Sequence, residues 1–399
     1  MTVEVDPKFV REVIRLGGKT LKRCMQCATC SVVCPLSPDD NPFPRKEMIW
    51  AQWGLKEKLL KDPDIWLCHN CNDCSKYCPR DAKPGEVLSA IRARMIAEYS
   101  WPSFMTKIVN NPIYLPLLIL IPVALIGGLI FGLGLSIPEG EIIYSRFIPM
   151  EYVEIGGFLF GGFALLIGII GLWRYWNALT NGGGKYIIIE PKEGAELEIK
   201  GSLGFIDAVY YAIKDILMHS WFKICGVNRI RYYAHLMIFY GFLALGLAAL
   251  ADVIGKYVFG LPHLPLLHPV ELFRGEMFKE PHMFILSIAK VIGNLGGIAL
   301  AAGCLLAIYN RFTNEYAKGG SYFDWFFLLV LFSVTITGFI TELARLVNSI
   351  TAYWWYLVHL VTVFLLIVYA PYSKFAHLLY RGVAMAYAKA IGREPKIQL

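Results

Sequence analysis

Charge is scarce in this chain: 17% of its 399 residues are Asp, Glu, Lys or Arg, against 56% hydrophobic. No charged residue lies between Lys107 and Glu139, or between Arg345 and Lys374. Uncharged runs of that length exclude a purely soluble protein. Residues 1–23 contain no apolar run of signal-peptide length, so nothing there is expected to export the cysteine-rich segment behind it. A phosphate-cradling glycine loop is also missing. Gly182-Gly-Gly-Lys185 lacks the rest of a P-loop and reads as a flexible turn. No basic–aromatic patch stands outside the loops flanking apolar runs, so the formal net charge of +7 does not indicate nucleic acid. Lys and Arg beside apolar segments suit a membrane surface instead.

Cysteine is present in a pattern that fixes the chemistry. Cys24-x2-Cys27-x2-Cys30-x3-Cys34-Pro35 is followed by Cys68-x2-Cys71-x2-Cys74-x3-Cys78-Pro79. Each run has the spacing that bacterial ferredoxins use for [4Fe–4S] clusters, in which the fourth cysteine serves the other cluster. The expected ligand sets are therefore Cys24, Cys27, Cys30 and Cys78 for one cluster, and Cys68, Cys71, Cys74 and Cys34 for its partner. Zinc sites use two pairs of ligands and fit two 3+1 runs poorly. Disulfides conflict with an unexported, reducing compartment. Cys225 and Cys304 belong to no motif and read as packing residues.

Six stretches qualify by length as transmembrane helices: roughly 113–136, 155–175, 232–257, 283–309, 323–345 and 352–372. The loop over 174–231, the short loop with Arg311 and Lys318, and the end of the chain concentrate Lys and Arg. The opposite loops hold Arg146 in one and Arg274 with Lys279 in another. This bias puts both termini and the cysteine runs on the cytoplasmic side of the inner membrane. The fold expected is mainly α. A cytosolic α-helical ferredoxin-type domain over 1–107 precedes a six-helix transmembrane haem b bundle over 108–378 and a cytosolic basic tail over 379–399. Within the inner loop 176–231, residues 206–218 space their apolar side chains as an amphipathic helix. Residues 185–200 read as a hairpin or a partner-contact loop.

Histidines supply candidate ligands for haem. His359 and His377 are eighteen residues apart, about 27 Å and five turns on a straight helix, so they would face one side at opposite membrane depths. His235, at the inner end of the third stretch, is level with His377, and the two form the expected inner haem b pair. For an outer haem b, His359 has no matching histidine on the third stretch. His282 is its candidate partner, with His263 and His268 behind it. His219 reads as structural, and His69, inside the second cysteine run, as a surface residue. Toward the outer side, Asp252, Lys290 and Glu342 offer hydrogen bonds and a proton route for a quinone head group; the alternative is a set of ion pairs bracing the bundle.

These residues support a resemblance. The amino-terminal hundred residues resemble the C subunit of heterodisulfide reductase. The remainder is similar to cytochrome b subunits of the nitrate reductase gamma and heterodisulfide reductase E type. That similarity rests on Arg229-Ile-Arg-Tyr-Tyr-Ala-His235, Phe239-Tyr-Gly-Phe242, Thr337-Gly-Phe-Ile-Thr-Glu342-Leu-Ala-Arg345 and Pro371-Tyr-Ser-Lys-Phe-Ala-His377. Fusion of the two modules looks like the C subunit of quinone-interacting membrane-bound oxidoreductases of sulfate reducers. The resemblance implies menaquinol oxidation, with electrons passing through haem b and two clusters to heterodisulfide reductase A-like flavin and iron–sulfur subunits. It implies adenylylsulfate reductase as the soluble acceptor beyond them. His235, His359 and His377 match the family's haem positions, whereas a second histidine on the third stretch is missing. Two other readings stay open: an electron carrier serving a different soluble partner, and a haem and iron–sulfur anchor with no quinone site. Paired Cys-Cys-Gly runs are absent, so thiol–disulfide catalysis by this chain is not expected.

Overall fold

The computed structural model describes residues 4–38, 41–182, 189–191, 197–199, 204–219, 222, 226, 228–260, 281–318 and 320–393, with backbone alone at 182, 189–191, 197–199 and 281–287. Eight helices build the amino-terminal part: α1 (Pro7–Arg15), α2 (Thr29–Val32), α3 (Arg45–Gln52), α4 (Lys56–Leu60), α5 (Asp64–Leu67), α6 (Asp73–Lys76), α7 (Pro84–Tyr99) and α8 (Ser103–Val109). Long apolar helices follow: α9 (Leu115–Gly132), the short α10 (Tyr144–Phe147), α11 (Met150–Gly182), then α12 (Phe205–Met218) and α13 (Arg229–Phe259). The chain ends with α14 (Pro281–Thr313), α15 (Tyr322–Leu346), α16 (Thr351–Val368) and α17 (His377–Ala390). Two three-residue strands, Ile189–Pro191 and Leu197–Ile199, pair antiparallel where a hairpin is one of the two expectations.

Among the described residues six helices are long and apolar enough to span a membrane, one in each expected stretch. Their apolar side chains point outward: Phe131 is 90% exposed and Leu165 66%, which is stable only in a lipid-like solvent. Small residues set the closest crossing. A Cβ on Gly241 would come within 2.5 Å of the Gly296 carbonyl oxygen, and one on Gly303 within 2.9 Å of the Ala234 carbonyl oxygen. Helices α13 and α14 therefore pack backbone to backbone, as small-residue interfaces in membranes do.

The cluster domain is not tethered by a linker; it shares one core with the bundle. Phe9, Val13, Leu88 and Ile91 belong to the same buried apolar cluster as Tyr175 and Leu179 of α11, Phe323 of α15, and Tyr380 and Ala384 of α17. Trp66 stacks on Tyr380 with centroids 5.3 Å apart, and Tyr99 meets Tyr175 at 5.2 Å. Each such aromatic pair contributes about 0.5–1.5 kcal/mol beyond the area it buries. Gly171 leaves room for this seam, since a Cβ there would lie 2.6 Å from the Tyr380 hydroxyl.

Two features differ from expectation. The sixth stretch does not run straight from His359 to His377. Helix α16 ends at Val368, and two 3-10 turns, Ala370–Tyr372 and Lys374–Ala376, come before α17. Pro371 has no N–H to donate, and the Tyr372 carbonyl is taken by the Asn110 amide at 2.9 Å, so the helical ladder cannot continue. Residues past 379 also differ from a simple tail: α17 packs against α5 and α12, and Arg393 is buried.

Arg393 enters a buried ionic group. Its guanidinium pairs with Asp64 at 2.5 Å and donates to the Asn41 carbonyl at 2.9 Å. Lys46 pairs with Asp64, with Glu47 at 3.0 Å and with Asp62 at 3.3 Å. Two cations thus hold three carboxylates at the start of the helix leading to Cys68. Removing one cation leaves a buried carboxylate uncompensated. Arg393→Met is expected to cost roughly 3–5 kcal/mol, measured as lower-temperature bleaching of the iron–sulfur absorption on heating.

Candidate iron–sulfur and histidine site

The duplicated cysteine run folds into a duplicated backbone. Gln26 and Asn70, each before the second cysteine of its run, take φ of 62° and 53°; Ala28 and Asn72, each just after it, take 67° and 70°. Left-handed geometry at alanine is costly and marks an imposed loop shape. In both loops an amide points back at the first sulfur: Gln26 N–H donates to Cys24 Sγ at 3.4 Å, and Asn70 N–H to Cys68 Sγ at 3.3 Å. Such bonds stabilise thiolate charge and tune a cluster's potential. Helices α2 and α6 then start at the residue before the third cysteine of each run.

The loops also exchange their fourth cysteines. Cys24, Cys27, Cys30 and Cys78 line one small cavity, with Arg45 and Arg80 at its rim. Cys34 lies in the field of Cys68 and Cys71, and Cys74 in that of Cys68, Cys71 and Cys34. Burial and neighbouring thiols push Cys30 up to about 12 and raise Cys34 and Cys74 as well. A metal binding these sulfurs has to displace their protons. Cys27 behaves differently: the Thr29 hydroxyl, 3.3 Å away, lowers it. The first group faces solvent through exposed Cys27, whereas Cys34, Cys68 and Cys74 are buried.

Three guanidiniums fasten the second loop. Arg92 donates to the carbonyls of Ile65 and Cys68, and Arg231 to that of Asn70. Arg381 of α17 donates to Trp66, Leu67 and Cys68 carbonyls at 3.2–3.3 Å and to His69 Nε2 at 2.6 Å. Asn72 reaches across to the Tyr316 carbonyl at 2.7 Å; Gly85 makes way, since a Cβ there would collide with the Asn72 amide oxygen. His69 is accordingly buried, not a surface residue. Burial lowers its basicity and the three arginines add to the effect, so it stays neutral and accepts from Arg381.

From His69 an aromatic series leads into the bundle. His69 meets Phe222 edge-on at 4.6 Å, and Phe222 lies 4.8 Å from His235. His235 and His377 meet with their rings nearly perpendicular, at 85°, and centroids 6.4 Å apart. Hydrogen bonds fix which nitrogen of each ring is free. His219 Nδ1–H donates to the Leu217 carbonyl at 3.2 Å, so His219 Nε2 accepts, and His235 Nδ1–H donates to it at 3.0 Å. His377 Nδ1–H donates to the Lys374 carbonyl at 2.6 Å. Both rings thus carry their lone pair on Nε2, the arrangement that backing hydrogen bonds impose on metal-ligating histidines. Burial, aided by Lys374, pushes His377 down to about 3, keeping it neutral. Two imidazoles on one metal, with bonds of about 2 Å each, place ring centres roughly 6 Å apart. The 6.4 Å separation fits a haem iron between His235 and His377.

His359 lies elsewhere. Thr337 donates its hydroxyl to the Ser333 carbonyl at 2.7 Å and accepts from His359 Nδ1–H at 3.0 Å, again leaving Nε2 as the lone-pair nitrogen. Gly338 makes room for this ring; a Cβ there would sit 3.1 Å from it. Among the described residues no second imidazole contacts His359. His282 lies on α14 with its side chain outside the described residues, as are His263 and His268. At the bundle end remote from the clusters, Lys290 pairs with Glu342 at 3.2 Å, and Asn294 donates to Glu342 at 3.2 Å. Asp252 shares α13 with Lys256, which is paired with Glu154.

Sequence reasoning missed Arg92, Arg381 and the role of His219. Arginines and a loop histidine outside any motif carry no signal until the chain is folded. Cys304 is buried, as a packing residue should be, and Cys225 lies outside the described residues.

Fold and site together define a 4Fe–4S dicluster domain followed by six helices able to cross a membrane. The family described as "4Fe-4S dicluster domain" is matched over residues 20–82. Relatives place the module more narrowly. Over 95 residues the chain is 42% identical to a protein of Archaeoglobus profundus described as like the C subunit of heterodisulfide reductase, covering 23% of this chain and 50% of that protein. It is 35% identical over 89 residues to the C subunit of the H(2):CoB-CoM heterodisulfide,ferredoxin reductase of Methanothermobacter marburgensis, covering 22% and 48%. It is 37% identical over 97 residues to the iron–sulfur C 2 subunit of the CoB--CoM heterodisulfide reductase of Methanocaldococcus jannaschii, covering 22% and 52%. The chain spans about half the length of these relatives. No solved structure matches it. The amino-terminal module is thus similar to iron–sulfur electron-transfer subunits of oxidoreductases.

Because Cys34 lies with the second run, Cys34→Ser is expected to impair the buried cluster and spare the exposed one. Iron should fall from about eight per chain toward about four, and the EPR signal that remains should be that of the solvent-facing cluster.

Proposed function

We propose that this chain is the membrane electron-transfer subunit of a quinone oxidoreductase complex, passing electrons between menaquinol and cytosolic flavin and iron–sulfur subunits. The observation that carries this reading is the contiguity of the Cys68 loop, His69, Phe222 and the His219–His235–His377 group. A buried cysteine set beside paired imidazoles at one end of a membrane bundle is the layout of a redox wire. Cys24, Cys27, Cys30 and Cys78 hold the outlying cluster, and Cys68, Cys71, Cys74 and Cys34 the one beside the bundle. Residues 1–107 form the cluster domain and 108–378 the haem-bearing bundle, with α17 fastening the two.

His235 and His377 would hold haem b, which would supply reversible one-electron transfer. The chain's own residues do the positioning: Lys374 and His219 hold the two rings in their Nε2-free form, and Arg381 draws the cysteine loop against α17. His359, backed by Thr337, serves a second haem b with His282 as its partner. Menaquinol is oxidised at the far end near Lys290 and Glu342, with Asp252 nearby, and releases two protons there. Arg92, Arg231 and Arg381 would set positive charge beside the cluster that Cys34, Cys68, Cys71 and Cys74 would hold, which would favour its reduced state. Met25 (68% exposed), Val32 (73%) and Tyr77 (53%) surround the outlying cluster's loops and suit a docking partner.

The partners are heterodisulfide reductase A-like flavin subunits and, through them, adenylylsulfate reductase. The names of the relatives favour a second reading, in which the same wire serves a heterodisulfide reductase. The basic loops support a location in the cytoplasmic membrane, with the clusters and both termini inside.

Titration of the purified chain with a menaquinol analogue is expected to reduce its haem. If the analogue neither reduces the haem nor shifts its spectrum, the quinone reading is lost. Pyridine haemochrome assay should show loss of one haem in His235→Ala. His219→Ala should keep that haem with affinity weakened about 10–100-fold, as losses of backing hydrogen bonds do.

A further inference from the structure

A cavity of about 470 Å³ lies between the cluster domain and the adjoining ends of α13, α14 and α15. Six cations line it: Arg15 and Lys19 from the cluster domain, and Arg231, Arg311, Lys318 and Lys374 from the bundle. Two acids oppose them, and both are engaged. Asp324 is paired with Lys374 and accepts from the Ser321 amide and hydroxyl at 3.1 Å, while Glu86 lies 3.8 Å from Lys83. Burial lowers Lys374 despite Asp324, and Arg311 and Arg231 push it the same way, as expected where cations crowd around one space.

Polar groups in this cavity are left unsatisfied. Among the described residues the buried Arg311 guanidinium Nη1, the Tyr322 hydroxyl and the Asn310 amide oxygen have no hydrogen-bond partner. Asn310 is 4% exposed and is held through its other amide atom by Asn228 at 2.9 Å. Arg311 is fixed over the Trp325 ring at 4.8 Å. Leaving buried donors and acceptors unpaired is costly, more so for a charged group, so such a set points to a ligand. The donors Arg311 and Tyr322 call for anionic oxygens; the Asn310 acceptor calls for a hydroxyl. Arg311 and Tyr322 also stand at the ends of the helices able to span a membrane, at the depth of lipid head groups.

We propose that this cavity binds a phosphate-bearing anion, supplied by the head group of an anionic, hydroxylated phospholipid. The phosphodiester sits against Arg311, Lys318 and Tyr322, and a head-group hydroxyl donates to Asn310. The lipid then fills the joint between cluster domain and bundle, beside Asn70 and Asn72 of the second cysteine loop.

The test is native mass spectrometry of the delipidated, cluster-loaded full chain, offered phosphatidylglycerol or phosphatidylcholine. One phosphatidylglycerol should be retained at about tenfold lower lipid concentration than phosphatidylcholine, a difference of about 1.4 kcal/mol. Arg311→Gln should abolish that preference and Arg311→Lys should restore most of it. Lys318→Gln, at an exposed position, should weaken it without disturbing the fold, so the test survives if Arg311→Gln misfolds. Displacement of the lipid by inorganic phosphate alone would assign the site to the free anion; resistance to phosphate assigns it to lipid. Equal retention of both lipids by the unmodified chain, with no phosphate binding, overturns the proposal. So does undiminished preference in both the Arg311→Gln and Lys318→Gln chains.

Discussion

The fastening of the Cys68 loop to α17 by Arg381 is the contact on which the rest of the architecture turns. One guanidinium satisfies three consecutive carbonyls and a histidine ring. Those carbonyls close α5 and open the cysteine loop, where no further helical turn supplies N–H donors, and burial away from water would otherwise leave them costly. Meeting that need brings a helix from the carboxy-terminal end of the chain against the second cysteine run. The Trp66–Tyr380 stack and the Arg393–Asp64 pair continue along the same face. Cluster domain and bundle become one body, with a common apolar core.

Two nearly identical loops acquire different surroundings as a result. Their backbones repeat φ for φ, and each sends an amide to its first sulfur. Yet the first keeps Cys27 exposed, while the second is covered by α17, Phe222 and three arginines. Sequence duplication makes two equivalent pockets, and packing makes them inequivalent. Solvent exposure and nearby charge are what set a cluster's potential, so the asymmetry makes the two cysteine sets chemically distinct.

The histidines show the same division. His219, His235 and His377 come from three separate segments, and their ring nitrogens are ordered by carbonyls of Leu217 and Lys374. The break at Pro371 matters here, because it turns the chain so that His377 opens a new helix facing His235. A straight helix through that region would have kept His377 in line with His359.

The sequence by itself determined the local chemistry: the cysteine spacing, the six apolar stretches and the amphipathic helix over 206–218 all appear where they were legible. These depend on neighbours a few residues away, and periodicity records such neighbours. It also named His235 and His377, because histidine is conspicuous among apolar residues. Tertiary structure alone decided that His69 is buried, that His219 backs His235, that Arg92 and Arg381 hold the cluster loop, and that Lys290 meets Glu342. Each of those facts joins residues far apart in the chain, and an arginine or loop histidine has no spacing that announces its distant partner. Pairing across such separations is fixed only when burial forces every carbonyl and charge to find one.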